Sequence, residues 1–138
     1  MKIELIKSPT PEHIGFLGTK LDNELENLWN HKAIEHIGFF IKNDNGNLIG
    51  GCNGFIFCSC IYTDQLWIHE SIRGKGMGRK LMESMHDYGR KHNCRIATLQ
   101  TMNFQDKRKF YEHLGYKCDL EREGYANGAT LICMKKEL

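Results

Sequence analysis

The sequence has few prolines, nearly balanced charge and no long apolar segment. Its 138 residues include only 2 prolines, and 19 basic residues face 17 acidic ones, so the formal net charge is +2. Such a small charge indicates neither a nucleic-acid partner nor an anionic membrane surface. The most apolar stretch, 55–62, is too short to span a bilayer. Residues 1–7 carry charges where a signal peptide would be apolar, and we therefore expect a cytoplasmic protein.

The six cysteines follow neither a disulfide framework nor a zinc-binding pattern. No Cys-x-x-Cys pair occurs, and Cys58-Ser59-Cys60 supplies only two ligands without a convincing second pair. A chain of this length with 41% apolar residues can bury a core without disulfides. We therefore interpret the cysteines as small buried hydrophobic residues, and we expect one domain over residues 1–138 with no metal site.

The spacing of apolar residues predicts alternating strands and helices. Strands are expected at 2–7, 36–41, from 48 onwards, and at 64–69, 96–101, 116–123 and 130–135. Helices are expected from a cap at Thr10 to about Lys32 with interruptions near Gly15 and Gly18, over 78–92, and from a cap at Asn103 or Asp106 to Leu114. Asn93 is expected just after the helix at 78–92, and a turn is expected at 43–47. The strand at 96–101 is expected to be parallel to that at 64–69. This order, β-α-α-β-β-β-α-β-α-β-β, is typical of a layered α/β domain with a mixed sheet.

The most informative segment is Arg73-Gly74-Lys75-Gly76-Met77-Gly78-Arg79, between a predicted strand and a predicted helix. Its alternating glycines remove Cβ atoms that would hold a ligand away from the backbone, and they allow positive φ. The N–H groups from Gly74 to Arg79 can then converge on one anion, aided by the helix N-terminus and the basic side chains. The glycines do not fit the Rossmann spacing, and no Ser or Thr follows Gly-Lys as a Walker loop requires. The segment therefore predicts a pyrophosphate-binding loop.

The spacing Arg-x-x-Gly-x-Gly, from Arg73 to Gly78, resembles the acetyl-CoA pyrophosphate loop of the GNAT superfamily of N-acetyltransferases. Upstream, 65–70 is similar to the strand before that loop, and downstream Phe110–Tyr116 is similar to the family segment F-Y-x-x-L-G-[FY]. The resemblance covers about residues 48–120. It implies a GNAT-like three-layer α/β domain whose mixed, mostly antiparallel central sheet is flanked by helices. It also implies that the thioester arm of acetyl-CoA enters between two splayed strands.

The resemblance further implies which residues carry the chemistry. Tyr111 matches the position whose hydroxyl protonates the departing thiolate, and packing in the core is the alternative interpretation. The base is expected to be a carboxylate on or near the strand before the loop, or a water held there, and Asp64, Glu70 and His69 are the local options. The backbone N–H of Ile68 would face the carbonyl oxygen. The predicted cofactor contacts are Leu66, Trp67, Ile68, Arg73, Gly74, Lys75, Gly76, Met77, Gly78, Arg79 and Asn103.

One of these contacts departs from the family pattern. The family often has an Asn seven residues before the motif tyrosine, where this chain has Phe104, and Asn103 lies one residue earlier. Helix capping is the alternative role for Asn103. Trp29, His31, His36 and Tyr125 are candidates for lining the acceptor site, with core packing as the alternative for Trp29.

We therefore expect an N-acetyltransferase that moves an acetyl group from acetyl-CoA directly to a primary amine in a ternary complex. The acceptor would be a small molecule or a peptide, and a homodimer is one expected state because dimers are frequent in this family. The alternatives are a non-catalytic acyl-CoA sensor on the same fold and a nucleotide-binding domain for another diphosphate.

Overall fold

A computed structural model of the chain describes residues 1–29 and 34–138, without the side chain of Trp29. These residues form two compact units, Met1–Ile34 and Glu35–Leu138. The predicted helix end near Lys32 and the candidate lining residue His31 lie outside the described residues. Within the described residues, no helix is long and apolar enough to cross a membrane.

The first unit contains one helix, α1 (Pro11–Trp29). Thr10 caps it as predicted, because its Oγ1 accepts from the N–H of His13 at 3.4 Å. The predicted strand at 2–7 is wrong, since residues 1–10 form neither strand nor helix. Alternating apolar residues do not by themselves supply the neighbouring backbone that a strand must pair with. The predicted interruption near Gly15 and Gly18 is also wrong, because a single glycine costs a helix only about 1 kcal/mol.

The second unit is built on a six-stranded sheet. Its strands are β1 (Glu35–Lys42), β2 (Leu48–Phe57), β3 (Cys60–Ile68), β4 (Ile96–Met102), β5 (Lys117–Arg122) and β6 (Leu131–Glu137). They lie in the order β1-β2-β3-β4-β6-β5. The β3–β4 pair is parallel and the other four pairs are antiparallel. The prediction of an α/β fold with a mixed, mostly antiparallel sheet is therefore confirmed.

Helix α2 (Met77–Lys91) contacts strands β1 to β4, and its apolar stripe enters the core. The buried residues on this helix are Leu81, Met82, Met85, His86 and Gly89. The helix is followed by Asn93, whose positive φ of 59° fits its predicted place after the last turn. Thus the sequence correctly predicted this helix and how it ends.

Helix α3 (Arg108–Glu112) is short and begins after Lys107. The predicted caps are wrong, because Lys107 occupies the cap position and no side chain caps the helix. Asp106 has a left-handed backbone with φ of 49°, and the carboxamide of Asn103 bonds elsewhere. The start of α3 could not be located from the sequence, because a separate 3-10 turn, Asn103–Gln105, precedes the helix.

Candidate active site

Strand β3 leaves its neighbour β4 halfway along its length. It pairs with β4 only from Cys60 to Thr63, whereas its pairing with β2 continues to Ile68. The register with β2 skips Asp64, which makes Asp64 the extra residue of a β-bulge. Beyond this bulge β3 and β4 diverge, although β4 continues to Met102. The gap between the strand before the loop and the strand after the long helix is therefore present as expected.

A cleft of about 430 Å³ lies in this gap. It is lined by Asp64, Gln65, Leu66, Gln100, Thr101, Gln105, Lys107 and Tyr111. Three of the predicted site residues, Asp64, Leu66 and Tyr111, therefore meet at one cleft. The other five lining residues were not predicted; for Gln100 and Thr101, the lining role follows only from where the β3–β4 pairing ends.

The backbone of β3 also faces this cleft. The N–H of His69 donates to the carbonyl of Ile49 at 2.9 Å, so these two residues form a hydrogen-bonded pair. Bonded and non-bonded pairs alternate in an antiparallel ladder, and the next pair, Gly50 and Ile68, is therefore non-bonded. The backbone groups of Ile68 consequently point toward the β4 side. Its carbonyl accepts from Nε of Arg73 at 2.9 Å, which leaves the N–H as the free backbone donor of Ile68 on that side.

The glycine-rich loop connects β3 to α2 through a left-handed backbone. Gly74 and Gly76 have φ of 72° and 75°, and a Cβ at either position would meet nothing within 4 Å. Gly76 immediately precedes Met77, the first residue of α2. The unpaired N–H groups of the first helical turn therefore border open space beside the loop. This is the geometry that an anion-binding loop requires.

The two sequence motifs are in contact with each other. A Cβ at Gly78 would lie 3.4 Å from Cζ of Phe110 and 3.9 Å from Cγ1 of Ile68. The ring of Phe110 in turn packs edge-on against that of Tyr111, with centroids 5.0 Å apart. The loop, the end of β3 and the tyrosine are thus held together by one set of contacts.

The contacts of Tyr111 are compatible with both interpretations of its sequence position. Its partly buried ring packs against the core and against Tyr116, with centroids 6.0 Å apart, while the same side chain lines the cleft. Burial raises the pKa of Tyr111, and the nearby Cys52 raises it further. A raised pKa keeps the hydroxyl protonated at pH 7, as a general acid must be.

Other predicted site residues lie outside the lining of this cleft. Glu70 begins a 3-10 helix, Glu70–Ile72, and His69 caps it by accepting from the N–H of Ser71 at 3.2 Å. Trp67 alternates with the inward-facing Leu66 and Ile68, and its side chain is exposed. The carboxamide of Asn103 accepts from the N–H of Thr130 at 3.1 Å, which agrees with a structural role.

The sequence model described as the Acetyltransferase (GNAT) family matches residues 4–116. The chain belongs to the GNAT family of acetyltransferases. Membership in this family supports the conclusion that the chain is an acetyl-transferring enzyme. Acetyl-CoA is the acetyl donor in the family. The family resemblance inferred from the loop and from the Phe110–Tyr116 motif is therefore confirmed.

Two named relatives are similar to this GNAT chain. Blasticidin-S acetyltransferase of Streptomyces morookaense is 27% identical over 108 residues, which cover 78% of this chain and 79% of that protein. Acetyltransferase Atu2258 of Agrobacterium fabrum is 33% identical over 76 residues. The match to Atu2258 spans 55% of each chain, or about half the length of that relative.

Solved structures share the fold. A proposed acetyltransferase from Agrobacterium tumefaciens superposes with a TM-score of 0.89 at 22% identity, covering 100% of both chains. A proposed streptothricin acetyltransferase from Bacillus anthracis, solved in complex with acetyl coenzyme A, superposes with a TM-score of 0.67 at 17% identity. That superposition covers 75% of this chain and 63% of the other. At these identities the likeness concerns the fold alone.

Proposed function

We propose that this chain is an N-acetyltransferase that moves an acetyl group from acetyl-CoA directly to a primary amine in a ternary complex. The observation that carries the proposal is the meeting of Asp64, Leu66 and Tyr111 in the cleft between β3 and β4. Family membership supports the reaction class, and the position of these three residues in one cleft supports their proposed roles.

The loop and the end of β3 would bind the donor. The backbone N–H groups from Gly74 to Arg79 hold the pyrophosphate, and the cationic side chains of Arg73, Lys75 and Arg79 supply long-range attraction. The pantetheine arm passes along Leu66, Trp67 and Ile68 by backbone contact and enters the gap between β3 and β4. Asn103 would contact the cofactor only through the backbone of the 3-10 turn Asn103–Gln105, which borders the cleft at Gln105.

The transfer step uses one acid and one base. The amine nitrogen attacks the thioester carbon, and the N–H of Ile68 stabilises the oxygen as it becomes negative. The carbon–sulfur bond then breaks, and Tyr111 donates its proton to the departing thiolate. Asp64 receives the proton that the amine loses. We favour Asp64 over Glu70 because Asp64 lines the cleft. Among the described lining residues there is no cysteine, so the acetyl group has no thiol carrier in this cleft.

The acceptor is proposed to be an amine on a small molecule. The relative from Streptomyces morookaense is named for blasticidin S, and the structural neighbour from Bacillus anthracis is named for streptothricin. These names favour a small amine over a peptide, which stays the alternative acceptor. A cytoplasmic location, a single domain and a homodimer stay predictions beside this proposal.

Calorimetry with acetyl-CoA, followed by a thiol-release assay over a panel of amines, tests this function. We expect saturable binding of acetyl-CoA and release of CoA with at least one small amine. Binding without CoA release on any amine would instead favour the acyl-CoA sensor. An absence of acetyl-CoA binding would contradict both.

A further inference from the structure

A second cavity, of about 220 Å³, opens on the face of β1, β2 and β3 that is opposite to the core. Phe39 and Ile41 pack toward the core, so the intervening Phe40 points away from it. Phe40, Gly51 and Trp67 are register partners across the three strands. Both aromatic side chains are exposed, Phe40 by 60% and Trp67 by 53%. Together with Leu48 they form an apolar surface at this cavity.

Two glycines allow the ring of Phe40 to lie against the sheet. A Cβ at Gly51 would be 2.7 Å from Cδ1 of Phe40, and a Cβ at Gly38 would be 2.9 Å from its Cε2. Any larger residue at either position would therefore displace the ring from the backbone. The result is a flat aromatic floor beside the indole of Trp67, which suits a flat ligand better than a bulky one.

A polar group without a partner lies among these apolar side chains. Asn53 lines the cavity, and its Oδ1 is buried without any hydrogen-bond partner within residues 1–29 and 34–138. An unsatisfied buried acceptor costs about 1–3 kcal/mol, so such an atom in a native protein calls for an explanation, and a bound group is one explanation. A carboxamide offers one donor and one acceptor side by side, the pattern that matches the edge of a nucleobase-like ring.

Gln65 connects this cavity to the cleft. Gln65 lines both, and the proposed base Asp64 is its neighbour in β3. A ligand whose ring occupies the cavity can therefore extend a substituent past Gln65 toward the bulge, where β3 and β4 diverge.

We propose that this cavity binds the ring of the acceptor, and that the acceptor is a primary amine carried on a flat, nucleobase-like heterocycle. The ring stacks on Phe40 and Trp67, and its polar edge pairs with the carboxamide of Asn53. The amine then extends past Gln65 into the cleft. This inference rests on the proposed function, because it assigns the second substrate of the same transfer.

Binding of cytidine tests the proposal without depending on turnover, because its exocyclic amine is a poor nucleophile. We expect cytidine to shift the indole N–H resonance of Trp67, assigned with Trp67→Phe, whereas cyclohexylamine at equal concentration leaves it unchanged. Asn53→Leu should weaken cytidine binding about tenfold, the cost of a lost hydrogen bond at a buried partner. Trp67→Leu, at an exposed position, should weaken cytidine binding as well. Calorimetry with cytidine measures the variants, because Trp67→Leu lacks the reporting indole, and Asn45→Leu in the β1–β2 turn serves as the matched control.

Affinity for acetyl-CoA, measured on the same samples, separates the two proposals. If acetyl-CoA binds normally but cytidine leaves the Trp67 resonance unchanged, the ring site is overturned and the proposed function stands. The ring site is likewise overturned if Asn53→Leu and Trp67→Leu both bind cytidine like the original chain. Failure of acetyl-CoA to bind the unaltered chain would instead overturn the proposed function.

Discussion

Gly54 in β2 lies so close to Tyr62 in β3 that no side chain fits between them. A Cβ at Gly54 would be 1.8 Å from the carbonyl oxygen of Tyr62 and 3.1 Å from Cα of Thr63. The contact lies next to the bulge at Asp64, where β3 leaves β4 and the cleft begins. The position of the bulge, where the cleft begins, thus depends on the absence of a side chain at Gly54 on the neighbouring strand.

Gly54→Ala should therefore destabilise the protein by about 1–3 kcal/mol, since the strands must move apart to accept the methyl group. The displaced bulge should also lower the rate of acetyl transfer. Gly18→Ala in α1 is the matched control, because a Cβ there meets nothing within 4 Å and alanine favours a helix. Urea unfolding measures both variants, and equal midpoints for Gly54→Ala and the original chain would contradict the argument.

Gly76→Ala should weaken acetyl-CoA binding at least about tenfold, because its Cβ enters the space beside the loop N–H groups and its φ of 75° disfavours alanine. Gly46→Ala separates the effect of the Cβ on the ligand from the effect of the unfavourable φ on the backbone. Gly46 has a similar φ of 80° and equally open surroundings, but it lies in the β1–β2 turn. We expect both variants to lose about 1–2 kcal/mol of stability. Calorimetry should detect weaker acetyl-CoA binding only for Gly76→Ala, and equal affinities would argue against the loop assignment.

Local signals in the sequence were sufficient for several parts of the second unit. The predicted turn at 43–47 is present, with Oδ1 of Asn43 accepting from the N–H groups of Asn45 and Asn47 at 3.1 and 2.9 Å. The loop, helix α2 and its stop at Asn93 are likewise fixed by neighbouring residues. In each case the residues that decide the structure lie within one turn of each other, so their pattern can be read directly.

Features that depend on pairing between distant segments could not be predicted in this way. The bulge at Asp64 exists only relative to the register of β2, and the lining role of Gln100 depends on where β3 leaves β4. The unsatisfied carboxamide of Asn53 similarly becomes visible only after the strands are assembled. Residues 2–7 show the converse error, because their alternation predicted a strand without identifying any partner.

Tyr111→Phe should reduce kcat by a factor of about 10²–10⁴ and leave KM for acetyl-CoA nearly unchanged. The substitution removes the proton donor but retains the ring that packs against Phe110 and Tyr116. Tyr62→Phe is the matched control, because Tyr62 is partly buried in β3 but does not line the cleft. Steady-state kinetics with a responsive amine measure both. An unchanged kcat for Tyr111→Phe would leave this tyrosine with only its packing role.

Asp64→Asn should lower kcat/KM for the amine more than Glu70→Gln, because only Asp64 lines the cleft. General-base catalysis contributes a factor of about 10²–10⁴, so the expected loss is of that order. Raising the pH should partly restore the Asp64→Asn variant, since more of the amine is then already deprotonated. A larger loss of kcat/KM for Glu70→Gln would indicate that Glu70, in the 3-10 helix, is the base.

The stability of the fold should depend on pH through His86, which is buried in α2. Its Nε2 lies 2.9 Å from the hydroxyl of Tyr116. Burial, together with positive charge on Lys136 and Arg90 and against the opposing effect of Asp87, lowers the pKa of His86 from 6.5 to about 4. As the pH falls, the unfolded chain therefore binds a proton at this histidine near pH 6.5, whereas the folded chain binds it only near pH 4. Stability from this group is complete above pH 6.5 and is lost as the pH falls toward 4.

Between pH 7.5 and pH 5 this loss should amount to about 2 kcal/mol, as one pKa unit corresponds to about 1.4 kcal/mol. His86→Gln should be less stable at pH 7.5 but should lack this part of the pH dependence, because glutamine does not titrate. His113→Gln, at an exposed position, should retain the dependence of the original chain. Urea unfolding at the two pH values measures each difference. If the free energy of unfolding of His86→Gln falls between pH 7.5 and pH 5 as much as that of the original chain, other groups, such as carboxylates, cause the acid sensitivity.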